Sequence, residues 1–185
     1  MGFSIARQNS HLHRREEASS MKITPELKAG YVSRNDALEF AERTRKNFEY
    51  IDRARNDEED VHVVTQLINS LLGLVVFLRE REVLRRIPTM QLNDLEVEGW
   101  PHVEVTKGQN DCTTLGQVLH HLRNAVAHGR IRFSSDSREM SEVVVQFEDW
   151  KDKRAKEPYV CFEMDALALH AFCAKLTRLV QQEIG

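Results

Sequence analysis

The chain has 185 residues, 41% hydrophobic and 30% charged, with a formal net charge of −3 and a pI near 6.2. That is enough apolar material for one domain with a real core. The charge excludes a broad basic surface that holds nucleic acid through phosphates alone, so RNA binding would need a local positive site. The most apolar run, Leu71 to Leu78, is far shorter than the roughly 20 residues of a membrane-spanning helix, and no signal-type apolar stretch opens the chain. Cys112, Cys161 and Cys173 are odd in number and lack metal-ligand spacing. A cytoplasmic protein with reduced thiols and no membrane association is expected.

Residues 1–30 are polar and aperiodic and predict a flexible leader, with residues 31–185 forming a single domain. Met21 is a candidate start within that leader. His11 and His13 have the alternation of a metal pair, but the leader reading is the simpler one. A first helix is predicted from Asn35 or Asp36, either of which can cap it. Leu38, Ala41, Phe48 and Ile51 form its apolar side. Arg43, Arg45, Lys46, Arg53 and Arg55 lie mostly off that side, as a solvated face or as a local track for RNA phosphates.

A second helix is predicted to start between Asp57 and Val61, its acidic first turn complementing the helix dipole. Val64, Leu67, Ile68, Leu71, Leu72, Val75 and Leu78 give it a broad apolar surface, which makes it the central core helix. A charged end, Arg79 to Arg86, runs to a stop at Pro88. Residues 88–112 read as a long connection containing His102, a surface residue.

A third helix should run from Leu115 to His128. Thr114 and Gln117 have the spacing of a capping box, and Gly129 suits the left-handed residue that ends a helix. Ile131 to Phe133, Val143 to Phe147 and Tyr159 to Phe162 then read as a small antiparallel sheet of two or three strands. A last helix follows from Asp165, a plausible cap, to Ile184, burying Leu169, Phe172, Leu176, Leu179 and Val180.

The third helix carries the chemistry. At 100° per residue, Leu115, Leu119, Leu122 and Val126 share one stripe, while Gln117, His121, Asn124 and His128 fall almost opposite. Two histidines and two amides are an unusual choice for plain solvent exposure and suit a cleft or polar interface. Asn124 and His128 are helical neighbours. Arg123 is about 140° from His128 on an ideal helix, yet it is long enough to share a phosphate with it. A second copy of the helix, brought in by dimerisation, would add further titratable groups.

Arg123-Asn124-x-x-x-His128 resembles the R-N-x-x-x-H motif of the HEPN superfamily. The surrounding Leu-Arg-Asn-Ala-Val-Ala-His-Gly is similar to the bacterial and plasmid-borne branch. The resemblance spans about residues 35–185. It implies a mainly α fold, an up-and-down four-helix bundle with a small antiparallel β insertion between the third and last long helices. It also implies a metal-independent endoribonuclease, a toxin or defence protein, with no cofactor and no metal. His128 would take the proton from a ribose 2′-hydroxyl, Arg123 would stabilise phosphate charge, and Asn124 would orient either. His121 and Gln117 would help bind substrate, and a second histidine, His121 or one from a partner chain, would protonate the leaving oxygen. RNA, a second copy and a cognate antitoxin are the implied partners.

The helix dipole favours a charged His128 and Arg123 opposes it, so the acid and base roles stay open. Alternatives also stay open. The chain also reads as a non-catalytic HEPN module that binds a nucleotide, RNA or a protein, or as a helical interaction protein in which Arg123 pairs with an acid and His128 caps its helix. Arg55-Asn56 with His62 imitates the motif loosely and is taken as coincidence.

Overall fold

A computed structural model describes residues 34–57, 59–80, 90–152 and 154–184. The chain divides into two units, Met1–Tyr31 and Val32–Gly185, and every described residue lies in the second. The leader expected over residues 1–30, including His11 and His13, lies outside the described residues.

Five α-helices and a four-stranded sheet make up the described unit. They are α1 (Arg34–Asn56), α2 (Val63–Glu80), α3 (Leu92–Val97), β1 (Glu104–Lys107), α4 (Leu115–Ala127), β2 (Ile131–Phe133), β3 (Val144–Asp149), β4 (Val160–Asp165) and α5 (Ala166–Ile184). Single 3₁₀ turns occupy Gln109–Asp111 and Met140–Glu142. The sheet is antiparallel throughout, in the order β1-β4-β3-β2.

The expected helical bundle with a small β insertion is therefore overturned: the fold is mixed α/β. The sheet is not an insertion between α4 and α5, because its β1 edge comes from the connection that precedes α4. Glu104, Val105 and Lys107 pair with Glu163, Phe162 and Cys161 of β4, with a register shift between Val105 and Lys107. β1 has one apolar side chain, Val105, in four residues, and its burial alternates between exposed and half-buried. Such an edge strand carries almost no hydrophobic signal of its own. At Gly108, φ is +77°, and a Cβ there would stand 2.8 Å from the Tyr159 carbonyl oxygen. Only glycine lets the chain leave β1 so close to the start of β4.

A second correction concerns α2. It begins at Val63, with no acidic residue in its first turn. The acidic stretch closes α1 instead: the amide of Asp57 donates to Arg53 O at 2.9 Å and that of Glu59 to Ala54 O at 2.9 Å. The end expected over Arg81 to Pro88 lies outside the described residues.

α4 sits between two layers, packed on β3 on one side and α2 on the other. α1 packs on α2 and α5. Leu115, Val118, Leu119, Leu122, Ala125 and Val126 of α4 join one core with Leu67, Leu71, Leu74 and Val75 of α2 and Phe147 and Phe162 of the sheet. The two phenylalanine rings stack at 5.2 Å. α5 completes the core through Leu169, Phe172, Leu176 and Val180, and Asp165 Oδ1 caps it by accepting from the Ala168 amide at 2.6 Å.

Three of the basic side chains named on α1 are paired with acids of the same helix. Arg43 pairs with Glu39, Arg45 with Glu42 and Glu49, and Lys46 with Glu42. The hydrogen bond from Arg45 holds the Glu42 carboxyl down at about 2. These i,i+3 and i,i+4 pairs are those of a solvated helix face.

Candidate functional site

α4 is fixed at both ends. At its N-terminus the Thr114 side chain accepts from the Gln117 amide, and Gln117 Oε1 accepts in return from the amides of Thr113 (2.8 Å) and Thr114 (3.1 Å). The predicted capping box is present, so the Gln117 side chain is engaged with the start of its own helix. At the C-terminus the Arg130 amide donates to Ala125 O at 2.8 Å and the Gly129 amide to Val126 O at 3.1 Å. Those two bonds, with Gly129 at φ +63°, make a Schellman close in which His128 is the cap residue. The His128 side chain is exposed.

Arg123, Asn124 and His121 lie one to two turns before that close. Arg123 is half-buried and donates from Nη1 to Asn124 Oδ1 at 3.1 Å. Asn124 Nδ2 donates to Asp149 Oδ2 at 2.9 Å and lies 3.3 Å from His120 Nε2. His121 is only 6% exposed. Its Nδ1 is 2.8 Å from the same Asp149 Oδ2, and its Nε2 is 3.0 Å from the carbonyl oxygen of Asp111.

The polar stripe therefore divides. His121 marks the edge of the buried arc, which spans about 160° of the helix, because α4 touches a sheet as well as a helix. The structure brings Arg123 and Asn124 into hydrogen-bond contact and leaves His128 on the surface at the helix end. It sends His121 inward, with both ring nitrogens against Asp149 and Asp111, and turns the Gln117 side-chain oxygen to the helix start.

Asp149, at the end of β3, is the residue that spacing along α4 could not supply. Its signal in the sequence is two acids, Glu148 and Asp149, closing a strand that is apolar but for Gln146. Burial works against the Asp149 charge, but hydrogen bonds from His121 and Asn124, the nearby His121 and the Trp150 amide outweigh it and hold the carboxyl below its ordinary value. Asp111 reaches His121 because the Gln91–Thr114 bridge ties the start of α3 to the start of α4. The same segment carries Cys112, whose thiol burial pushes up to about 12, helped by Asp111.

Beyond the helix close lies a cleft of about 360 Å³ lined by Gly129, Arg130, Ile131, Arg132, Glu148, Trp150 and Asp152. The Arg130 guanidinium lies 5.5 Å from the centre of the Trp150 ring. Arg132 Nε is 2.9 Å from Glu148 Oε1, and Trp150 Nε1 donates to Glu148 Oε2 at 3.2 Å. A larger hollow, about 460 Å³, is lined by residues of 62–65, 133–138 and 143, none of them on α4. The smaller cleft matters more here, because it continues directly from the residue after His128.

Among the described residues no helix is long and apolar enough to cross a membrane. No curated protein and no solved structure matches the chain. A family model described as HEPN pEK499 p136 matches residues 25–184, which takes in the whole helical frame, the sheet and the motif on α4. The chain thus belongs to the HEPN pEK499 p136 family, a plasmid-associated branch of the HEPN superfamily.

Proposed function

We propose that this HEPN protein is a metal-independent endoribonuclease acting as a toxin or in defence against phage, with Arg123, Asn124 and His128 as its reactive set. The observation that carries the reading is the exposed His128 at the Schellman close, one turn after an Arg123 already oriented by Asn124. A neutral His128 takes the proton from a ribose 2′-hydroxyl. The oxygen attacks the adjacent phosphorus, the bond to the 5′-oxygen breaks, and a 2′,3′-cyclic phosphate remains. Arg123 offsets the charge that builds on the phosphoryl oxygens.

The leaving 5′-oxygen needs a proton. With His121 held between Asp149 and Asp111, the donor in this proposal is the His128 of a second copy, in a homodimer whose two α4 ends share one cleft. Arg130 and Trp150 offer a guanidinium and a ring face to RNA in the adjoining cleft, beside an Arg132 already paired with Glu148. Gln117 and His121 support the substrate site through the helix start and the sheet rather than by touching RNA. A cognate antitoxin would cover this end of α4, and the cytoplasm is the expected compartment.

Purified protein should cut single-stranded RNA in EDTA and leave cyclic-phosphate ends. His128→Ala and Arg123→Ala should each lower the rate about 10²–10⁴-fold, the range for a positioned acid or base, with unchanged far-UV circular dichroism. Undiminished cleavage by His128→Ala would refute the mechanism. RNA binding lost with Arg123→Ala, without any cleavage by the parent protein, would make the chain a non-catalytic HEPN module.

A further inference from the structure

His121 is bracketed by two acceptors. Its Nε2 faces the Asp111 carbonyl oxygen at 3.0 Å and its Nδ1 faces Asp149 Oδ2 at 2.8 Å. A neutral imidazole carries one N–H and one lone pair. With the proton on Nε2, donating to the carbonyl, the Nδ1 lone pair and a carboxylate oxygen face each other across 2.8 Å, and either a second proton or a metal ion between them satisfies both. A backbone carbonyl holding the far N–H of a histidine is also the outer-shell contact that orients histidine ligands around metals. A third donor stands beside them: one ligand atom each from His120, His121 and Asp149 lie within 4.8 Å of one another.

From this geometry we infer that His120, His121 and Asp149 bind one Zn²⁺ or a similar borderline divalent ion. Two imidazoles and one carboxylate suit such an ion in a tetrahedral site with one position left for water. Bond lengths of about 2.0–2.2 Å place adjacent ligand atoms roughly 3.3 Å apart, so the His121–Asp149 contact opens by about 0.5 Å and His120 swings inward. His120 is exposed, which gives the ion its way in. The amide nitrogen of Asn124 now stands against both Asp149 Oδ2 (2.9 Å) and His120 Nε2 (3.3 Å). The ion takes over both contacts, and the amide turns away from them. The metal site does not depend on the ribonuclease reading, and its readouts involve no RNA.

The test uses the full chain, stripped with EDTA and titrated with zinc chloride by isothermal calorimetry. One equivalent of Zn²⁺ per chain is expected. His120→Ala, at an exposed position, should weaken binding about tenfold or more without changing the circular dichroism spectrum, and Asp149→Asn should do the same. The double variant His11→Ala/His13→Ala should bind as the parent does. Histidine ¹⁵N spectra should show His121 coordinating through Nδ1 and keeping its proton on Nε2. An absence of stoichiometric binding, binding unaffected by His120→Ala, binding lost in the His11/His13 variant, or a proton retained on His121 Nδ1 at saturating zinc would each overturn the site.

Discussion

Asp149 is the carboxylate on which α4 and the sheet meet, and its protonation has a sign that can be worked out. Its pKa is depressed in the folded chain, so the stability it contributes is fully present above its unfolded value and is withdrawn as pH falls through the folded one. In the presence of a chelator, the urea midpoint should fall between about pH 5 and about pH 2, and Asp149→Asn should flatten that acid limb while lowering the plateau at neutral pH. An acid limb identical in the variant would remove Asp149 from the account. The cysteines make a second prediction at this scale. Cys112, Cys161 and Cys173 are all buried, and burial raises all three thiols. The thiolate is the reactive form, so thiol reagents at mildly alkaline pH should modify the native chain very slowly and the unfolded chain at once. Rapid labelling of native protein would contradict this burial.

At the scale of elements, glycine positions separate two kinds of constraint. Gly129 has open space around an added Cβ but φ +63°, whereas Gly108 combines φ +77° with a 2.8 Å approach to the backbone of Tyr159. Gly129→Ala should cost about 1–2 kcal/mol from backbone conformation alone. Gly108→Ala should cost more, because a clash with main chain is added. Equal losses in denaturant unfolding would show that β1 relaxes freely. At the other end of α4, Thr114→Ala should cost about 1 kcal/mol through loss of the cap, a change that leaves His128 untouched.

Helices α4 and α5 were legible in the sequence because period and caps coincide there: Thr114 with Gln117, Asp165 with the Ala168 amide, and glycine at residue 129; α1 was legible from its period alone, since it already includes Asn35 and Asp36, the expected caps. β3 and β4 were legible from their runs of branched and aromatic residues. β1 and α3 were not, since each buries little, Leu95 being the one buried residue of α3. The start of α2 is not legible from the dipole argument, because the acidic stretch before it belongs to the close of α1. Within the site, the motif residues could be found by spacing along one helix. The direction of His121 could not, because it is set by a carboxylate 28 residues away on β3.

Over the whole molecule, α4 is the element through which layers communicate, since it contacts both α2 and β3. Leu122, fully buried in α4, is one helical position from Arg123 and carries no polar atom. Leu122→Ala should destabilise the fold by about 2–5 kcal/mol and lower any RNA cleavage only as far as the folded fraction falls. A loss of cleavage far beyond that fraction would mean that packing sets the geometry of Arg123 directly. The proposed second copy is tested at the same scale: specific cleavage activity per chain should fall on dilution as copies separate, in step with the mass measured by light scattering.

The β1–β4 pairing has a consequence for synthesis. Glu104 finds Glu163 only after β4 has been made, and Asn124 finds Asp149 only after β3 has been made. A ribosome that has just released α4 from its exit tunnel holds a helix with neither its carboxylate anchor nor a closed sheet beneath it. The native arrangement around Arg123 becomes available only after β3 and β4 have followed α4 out of the tunnel, so until that stretch is made the growing polypeptide carries Arg123 and Asn124 on a helix without its partners.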